Sequence, residues 1–299
     1  MTADWGMMKY RRLLWYRRRG NTMKIRLIAI DLDGTLLNSQ KEISPAALDV
    51  IHQVRHEKSV GVVITTARPP RSTLPFYKQL SLRGPMINYN GALVWMPTNG
   101  KVLLHQPIPY NIARGIIRWS RERYPNIIVS AEIGDKWYTD AFDPADKAYL
   151  TETSRAYKPD VIGPFDEWLN QPVTKLLLLG RPNWLTAVKQ AVQEDLPGEV
   201  TSVQTEDYLL QIMHSSVSKM AALAKVAAEL RVPREQIMAI GDNANDVGMI
   251  QWAGVGVAMA NGHVTCLQAA DHVTDHHDDE GVANVIRHIV LEGKAPHGA

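Results

Sequence analysis

The chain has 299 residues, 45% hydrophobic and 21% charged, close to the average of soluble globular proteins, which excludes collagen, coiled-coil and wholly disordered classes. A single cysteine, Cys266, excludes an internal disulfide framework, and no apolar run approaches the roughly 18–20 residues of a membrane-spanning helix. The net charge of +2 is uneven, because residues 1–23 hold six Lys and Arg against one acidic residue, leaving 27 against 30 elsewhere.

The N-terminal residues 1–22 are interpreted as a basic, disordered extension, because Met23 leads directly into the first predicted strand, as a natural start would. A basic membrane-interface segment around residues 13–16 is a second interpretation, and the lack of an apolar stretch after the arginines argues against a secretory signal. The rest of the chain lacks the wide positive face that nucleic-acid binding requires. We therefore expect a soluble cytoplasmic monomer or homodimer with no nucleic-acid or membrane partner.

The first predicted elements form a βαβ unit. Residues 26–30 are an apolar run typical of a buried parallel strand. Ser44 and Pro45 then provide an N-cap and a first helical residue, and apolar residues continue at helical spacing to Val54. Residues 61–64 are a second buried strand. This order predicts a parallel α/β sheet.

The middle of the chain mixes hairpin and helix patterns, and the last third returns to alternating helices and strands. The middle strands are predicted at 92–95, 102–105, 126–130, 136–139 and 175–179, with two short ones ending at 208–213, and the helices at 112–123 and 184–194. The later helices are predicted at 219–230, 247–252, 264–270 and 282–290, and the strands at 237–240, 254–258 and 272–274. The prediction is one α/β domain, residues 23–89 and 212–293, with an α+β domain inserted at 90–211.

Three strands of the predicted parallel sheet end in polar residues at the same relative place. These ends are Asp31-Leu32-Asp33-Gly34-Thr35, Thr65-Thr66-Ala67-Arg68 and Gly241-Asp242-Asn243-Ala244-Asn245-Asp246. In open parallel sheets, ligands bind at the carboxyl ends of the strands. The topology therefore predicts four carboxylates, a hydroxyl and an amide at one site.

The carboxylates of this predicted site point to phosphoryl chemistry. Four carboxylates repel one another strongly unless a divalent cation compensates their charge, and oxygen ligands of this kind are those that Mg²⁺ prefers. One carboxylate can then act as a nucleophile toward phosphorus, since carboxylates form aspartyl-phosphates. Asp31 and Asp33 share a face of an extended segment, so both can reach one substrate. Gly34 lets the chain turn and a phosphate approach the backbone.

The ordered motifs resemble the haloacid dehalogenase superfamily and, more narrowly, its Cof-type (subclass IIB) sugar-phosphate phosphatases. Residues 31–37 are similar to the first motif of that superfamily. The other similar segments are 65–69, 217–219, 241–250, 88–92 at the entry to the cap domain, and 253–261 with 279–283 in the C-terminal pattern. The resemblance spans about residues 23–290 and implies a Rossmann-like parallel-sheet core with an inserted α+β cap domain.

The resemblance implies roles for the carboxylates. Asp31 would be the nucleophile and a Mg²⁺ ligand. Asp33 would protonate the leaving oxygen and then accept a proton from the hydrolytic water, and its backbone carbonyl would also bind the metal. Asp242 would be the other direct protein ligand, with Asp246 near the metal or bound to it through water.

The resemblance also implies a set of phosphate-binding groups. Thr66, with backbone amides near Leu32 and Ala67, would hold the phosphoryl oxygens. Lys219 would neutralise charge beside the nucleophile and act in catalysis, and Asn245 would touch the phosphate. Ala67 departs from the family pattern, which usually has glycine there, and alanine would be strained if that position required a positive φ. Residues 214–216 also differ from the usual Pro- or Gly-containing turn.

The function that follows is a cytoplasmic, Mg²⁺-dependent phosphatase of small phosphorylated metabolites, in particular sugar phosphates, working through an aspartyl-phosphate. One alternative is a phosphomutase or phosphotransferase of the same superfamily. Another is a non-catalytic module that binds a phosphate ligand. A third makes the basic extension a tether to nucleic acid or membrane.

Several other residues allow two interpretations. Arg68 is equally compatible with a substrate contact and with the surface, whereas Asn90 and Gly91 fit a turn or hinge better than a ligand contact. The His- and Asp-rich segment 271–279 fits a solvated loop better than a transition-metal site, since its spacing supports no closed site. Trp95 and Trp137 are candidates for the cleft between core and cap.

Overall fold

The predicted strands and helices are largely present in a computed structural model of the chain, which describes residues 24–141 and 156–294. The predicted N-terminal extension lies outside the described residues. The described strands are β1 Leu27–Ile30, β2 Gly61–Ile64, β3 Met86–Asn88, β4 Leu93–Trp95, β5 Val102–His105, β6 Ile128–Ile133, β7 Lys136–Thr139, β8 Val161–Ile162, β9 Lys175–Leu179, β10 Val200–Glu206, β11 Leu209–His214, β12 Ile237–Gly241, β13 Val255–Met259 and β14 His272–Thr274. The described α-helices are α1 Pro45–Glu57, α2 Pro70–Gln79, α3 Tyr110–Arg123, α4 Phe165–Trp168, α5 Pro182–Asp195, α6 Lys219–Glu229, α7 Val247–Trp252, α8 Val264–Ala269 and α9 Gly281–Ile286.

The described chain divides into two units. The first unit contains residues 24–66, 76–86 and 223–294, and the second contains 67–75, 87–141 and 156–222. Within the described ranges, every helix is too short or too polar to cross a bilayer.

The first unit is built on a five-stranded parallel sheet in the order β14-β13-β12-β1-β2. Every residue of β1, β12 and β13 is buried, as expected for parallel strands that are covered on both faces. In the central register, Ile30 pairs with Ile64 on one side and with Ile240 on the other. The three strands therefore end side by side.

Helix α1 begins where the sequence predicts it. Ser44 is the N-cap, its Oγ accepts a hydrogen bond from the Ala47 amide (3.1 Å), and Pro45 occupies the first helical position. The helix buries one apolar face, which includes Val50 and Val54. This packing fixes the chain between β1 and β2.

The second unit contains a six-stranded sheet in the order β10-β11-β9-β6-β7-β8, antiparallel except for the β7–β8 pair. One face of the sheet packs on α3 and α5 in a core that includes Ile117, Val129, Leu176 and Val188. Alternation along β6 and β9 directs Glu132 and Lys175, a cross-strand pair, away from that core. A separate three-stranded sheet has the order β3-β4-β5.

The structure differs from the sequence prediction in two places that matter for the site. Helix α2 was not predicted, because Pro70 and an internal Pro75 make the segment look like a loop. The strand predicted at 126–130 is β6, Ile128–Ile133, because residues 124–127 form a turn in which the Ile127 amide binds the Tyr124 carbonyl. Both differences concern segments that carry the ion pair between Arg71, in α2, and Glu132, on β6.

Candidate active site

Three strand ends of the first unit lie at one edge of its sheet, as predicted. The Asp31 amide donates to the Ile240 carbonyl (3.1 Å), and the Thr65 amide donates to the Ile30 carbonyl (2.9 Å). These bonds continue the parallel ladders of β1 with β12 and β2 for one more residue. The residues that follow the strands therefore leave the sheet together.

Three predicted carboxylates meet at this edge. Asp31, Asp242 and Asp246 each offer an oxygen, and these oxygens lie within 4.8 Å of one another. Asp31 is 6% exposed and Asp246 is fully buried. Asp242 is half-buried, and three carboxylates so close together, two of them buried, repel one another unless a cation compensates their charge. A donor set made only of carboxylate oxygens fits a hard cation such as Mg²⁺.

Two residues of the first motif control the position of Asp242. The Thr35 hydroxyl donates to Asp242 Oδ1 (2.8 Å). Gly34 has φ of +77°, and a Cβ there would lie 2.9 Å from Asp242 Cγ and closer still to Oδ2. Glycine is therefore required at residue 34 both for its backbone conformation and for the close approach of a carboxylate. Both residues belong to the first predicted motif, but nothing in that motif indicated a role for Thr35.

Asp246 anchors the loop that carries Asp242. Its Oδ2 accepts hydrogen bonds from the amides of Asp242 (3.2 Å) and Asn243 (3.0 Å). The Asn243 side chain in turn accepts a hydrogen bond from the Asp246 amide, and the two residues form a capping box. One oxygen of Asp246 is thus used in holding the loop. Asn245, a predicted phosphate ligand, is exposed on the short helical turn between Asn243 and Val247.

Asp33 is paired with Lys41, a residue that no sequence motif indicated. Lys41 Nζ lies 2.8 Å from Asp33 Oδ1, and the two side chains are 46% and 37% exposed. An exposed pair of this kind contributes only about 0–1 kcal/mol. The Lys41 pair by itself therefore does little to fix the Asp33 side chain, which is partly open to solvent.

The loop after β1 is held by a C-terminal segment of the same unit. Asn261 Nδ2 donates to the Gly34 carbonyl (2.8 Å), and its Oδ1 accepts from the His277 amide (3.0 Å). His277 Nδ1 in turn donates to the Leu37 carbonyl (2.8 Å). These hydrogen bonds could not be predicted from the sequence, because they join residues that are far apart in the chain.

The His- and Asp-rich segment is used in the same way. Asp278 accepts hydrogen bonds from the Ser39 amide (2.7 Å) and hydroxyl (2.6 Å), which lower the pKa of Asp278. His276, His277 and Asp278 offer ligand atoms within 4.8 Å of one another, but the Asp278 oxygens are already occupied by Ser39. Residues 275–279, which follow β14, are thus partly exposed and brace the loop after β1 through Ser39 and Leu37.

The predicted phosphate-binding residues fall in both units. Leu32 and Thr66, in the first unit, are at most 1% exposed. Ala67 and Lys219 belong to the second unit, where Lys219 is the first residue of α6 and is 1% exposed. The roles given to these residues stay predictions. Asn90 has φ of 57° within a short helical turn, as the turn interpretation requires.

Most of the chain is similar to known phosphatases. Residues 28–286 match the haloacid dehalogenase-like hydrolase family. The chain is 32% identical over 265 residues to a 5-amino-6-(5-phospho-D-ribitylamino)uracil phosphatase of Bacillus subtilis, covering 87% of this chain and 96% of the relative. It is 31% identical over 274 residues to a putative phosphatase of the same organism, covering 89% and 98%.

Solved structures give the same result. A haloacid dehalogenase-like hydrolase from Bacteroides thetaiotaomicron superposes with a TM-score of 0.80 at 27% identity, covering 89% of this chain and 100% of that one. A protein of Thermotoga maritima superposes with a TM-score of 0.77 at 31% identity, covering 88% and 97%. The predicted α/β class, a parallel sheet with a separate α+β region, is confirmed.

Proposed function

Since the chain belongs to the haloacid dehalogenase-like hydrolase family, we propose that it is a Mg²⁺-dependent phosphatase of small phosphorylated metabolites that works through a phosphoryl group on Asp31. The resemblance of its motifs to Cof-type members of this family is confirmed, and the chain is a phosphoric monoester hydrolase. The observation that carries the proposal is the group of three carboxylates, Asp31, Asp242 and Asp246, at the end of β1 and β12.

The metal would be held by groups of the first unit. Asp31 and Asp242 would bind Mg²⁺ directly, together with the backbone carbonyl of Asp33, and Asp246 would act through water because its Oδ2 already holds the loop. When bound, Mg²⁺ would neutralise the carboxylates and stabilise charge on the phosphoryl oxygens. The hydroxyl of Thr35 fixes the Asp242 carboxylate for this task.

The hydrolysis would proceed in two steps, transfer of the phosphoryl group to Asp31 and its release to water. A carboxylate oxygen of Asp31 attacks phosphorus, the bond from phosphorus to the ester oxygen breaks, and Asp33 gives its proton to that oxygen. Asp33, now a carboxylate, accepts a proton from water, whose oxygen attacks phosphorus and releases inorganic phosphate and the Asp31 carboxylate. The Asp33 side chain is 37% exposed, so water can reach it.

The phosphoryl oxygens would be held by the groups that the family resemblance assigns. These groups are the Thr66 hydroxyl, the amides near Leu32 and Ala67, the Lys219 ammonium and the Asn245 side chain. Both Thr66 and Lys219 are 1% exposed, so bulk water has little access to them. Most of the rate acceleration would come from this positioning and charge compensation.

The substrate class is proposed from the relatives. One relative is named for 5-amino-6-(5-phospho-D-ribitylamino)uracil, a small phosphorylated compound, and a second relative from the same organism carries the same name. We infer that sugar phosphates and phosphorylated sugar alcohols are the class to test first. The inserted domain at 90–211 would select among them in the cytoplasm.

The proposal is tested by phosphate release from a panel of sugar phosphates, the ribitylaminouracil phosphate, nucleotides and an aryl phosphate. Release is expected with Mg²⁺ and should vanish with EDTA and in Asp31→Asn. Asp49→Asn, the same change at an exposed aspartate of α1, should leave release unchanged. No release by folded protein that binds Mg²⁺ would favour phosphoryl transfer or binding, and release by Asp31→Asn would refute the nucleophile assignment.

A further inference from the structure

The second unit holds the backbone of residues 67–71, the segment that directly follows Thr66. The Ala67 carbonyl faces Lys175 Nζ at 3.5 Å. The Arg68 carbonyl accepts hydrogen bonds from Asn88 Nδ2 (3.0 Å) and from the Tyr89 amide (3.3 Å). Two consecutive carbonyls of the predicted phosphate-binding motif thus take their partners from residues 88–175.

Arg71 is held from three directions. Its amide donates to Asp135 Oδ1 (3.0 Å), and its carbonyl accepts from the Tyr157 hydroxyl (3.0 Å). That carbonyl is four residues before Pro75, which has no amide to offer it, so the helix leaves it for Tyr157. The side chain of Arg71 forms two parallel hydrogen bonds to Glu132, of 2.8 and 2.6 Å.

Glu132 is the centre of this network. Its side chain is 5% exposed, and besides both Arg71 bonds it accepts a hydrogen bond from the hydroxyl of the fully buried Tyr89 (3.1 Å). It is also the cross-strand neighbour of Lys175. Burial raises the pKa of Tyr89 and lowers the pKa of Lys175 to about 8. Glu132 thus lies beside the Arg71 guanidinium, the Lys175 ammonium and the Tyr89 phenol, and a second carboxylate, Asp135, lies 3.3 Å from the same guanidinium.

Stability alone is a weak explanation for the ion pair between Arg71 and Glu132. Replacing such a pair by apolar residues is often neutral or stabilising, so ionic groups are better explained by a requirement for one geometry. A bidentate pair between arginine and a carboxylate fixes both distance and orientation. Here the arginine lies in the short segment after Thr66, and the carboxylate lies on β6 of the large sheet.

We propose that Glu132 is a positioning residue for phosphate binding, which acts through Arg71 to fix the backbone of residues 67–71. The inference rests on the proposed function, in which the amide near Ala67 and the hydroxyl of Thr66 hold the phosphoryl oxygens. A shift of this backbone moves those donors but leaves the carboxylates of the first unit in place. Phosphate affinity and turnover therefore depend on Glu132, whereas Mg²⁺ affinity does not.

The test uses two variants of the full chain, Glu132→Gln and Arg71→Lys. Gln removes the charge and one acceptor, and Lys keeps the charge but loses the planar fork, so the second variant guards against failure to fold. Each variant is expected to raise the Kd of inorganic phosphate, measured by calorimetry with Mg²⁺, and to lower kcat/KM by about 10- to 100-fold, since a displacement of about 1 Å has such an effect. The Kd of Mg²⁺ alone should change less than about twofold.

Matched controls are available in the same unit. Arg121 and Asp140 also form an ion pair, with the carboxylate side chain 7% exposed. Arg121→Lys and Asp140→Asn make the same chemical changes there and should leave the phosphate Kd and kcat/KM near the wild-type values. Equal effects in both pairs of variants, or unchanged phosphate affinity in Arg71→Lys, would overturn the positioning role. Wild-type protein that neither binds phosphate nor hydrolyses any ester would overturn the proposed function instead, and the positioning role with it.

Discussion

Replacing Gly34 by alanine tests whether the first motif controls Asp242. The substitution has two effects that can be separated. It places a side chain on a residue with φ of +77°, and it adds a Cβ that would meet the carboxylate of Asp242, with Cγ at 2.9 Å. Gly100 has φ of +73° with nothing within 4 Å of its would-be Cβ. Gly100→Ala therefore carries the same backbone strain without the contact.

The two effects have different magnitudes and readouts. The positive φ costs alanine roughly 1–2 kcal/mol of stability at either position, so both variants should lose a similar amount. Ordinary contact begins near 3.4 Å, and Asp242 Oδ2 lies closer to the added Cβ than Cγ does, so the carboxylate must retreat by about 1 Å to free that oxygen. A misplacement of that size costs on the order of 100-fold in rate. Only Gly34→Ala should lose activity to this extent.

The assay is kcat/KM for the best substrate of the wild-type protein, together with the Kd of Mg²⁺ and the free energy of unfolding in urea. We expect Gly34→Ala to show a ~100-fold lower kcat/KM and weaker Mg²⁺ binding, and Gly100→Ala to keep both. If Gly34→Ala retained full activity and Mg²⁺ affinity while losing stability, the contact with Asp242 would have no functional weight. Equal loss of activity in both variants would show that strain alone is responsible.

Further predictions concern the residues around this site and in the second unit. Thr35→Val removes the hydroxyl that orients Asp242 and should weaken Mg²⁺ binding about 10-fold, while Thr35→Ser should not; equal affinities would refute the orienting role. Asp246→Asn impairs a buried acceptor of two backbone amides and should lower the free energy of unfolding by about 1–3 kcal/mol, so an unchanged urea midpoint would contradict the anchoring role. The pKa of Lys175 is lowered by burial to about 8 from 10.5, so the unfolded chain binds more protons above pH 8 and stability rises with pH. Between pH 7 and 9.5 the wild-type protein should gain about 2 kcal/mol relative to Lys175→Met in urea unfolding. A flat difference against Lys175→Met over this pH range would mean that Lys175 is not desolvated.

The carboxylate cluster could be predicted because it depends on strand ends. Apolar runs stop at Asp31 and at Gly241-Asp242, and parallel register alone brings such ends to one edge of a sheet. The fold class followed from the same alternation of strands and helices. The strand ends and the fold class depend on local sequence patterns and on a topology that has few alternatives.

The contacts that orient the site could not be predicted. The Thr35 hydroxyl reaches Asp242 across 207 residues of sequence, and Arg71 reaches Glu132 across 61. Neither end of such a pair carries a local signal, because the same residues are common on surfaces. Helix α2 could not be predicted because it contains two prolines. The carbonyl of Arg71, which Pro75 cannot pair, accepts its hydrogen bond from the distant Tyr157. Side-chain pairing at long range is therefore what the structure adds.

In the proposed mechanism, Asp31 carries the phosphoryl group during turnover. The most direct measurement is mass spectrometry of peptides from protein that was quenched with acid during hydrolysis of its best substrate. We predict one added phosphoryl group on the peptide that contains Asp31, present with Mg²⁺ and absent in Asp31→Asn. Phosphate release at the wild-type rate with no such peptide in quenched samples, and with Asp31→Asn still active, would contradict the account.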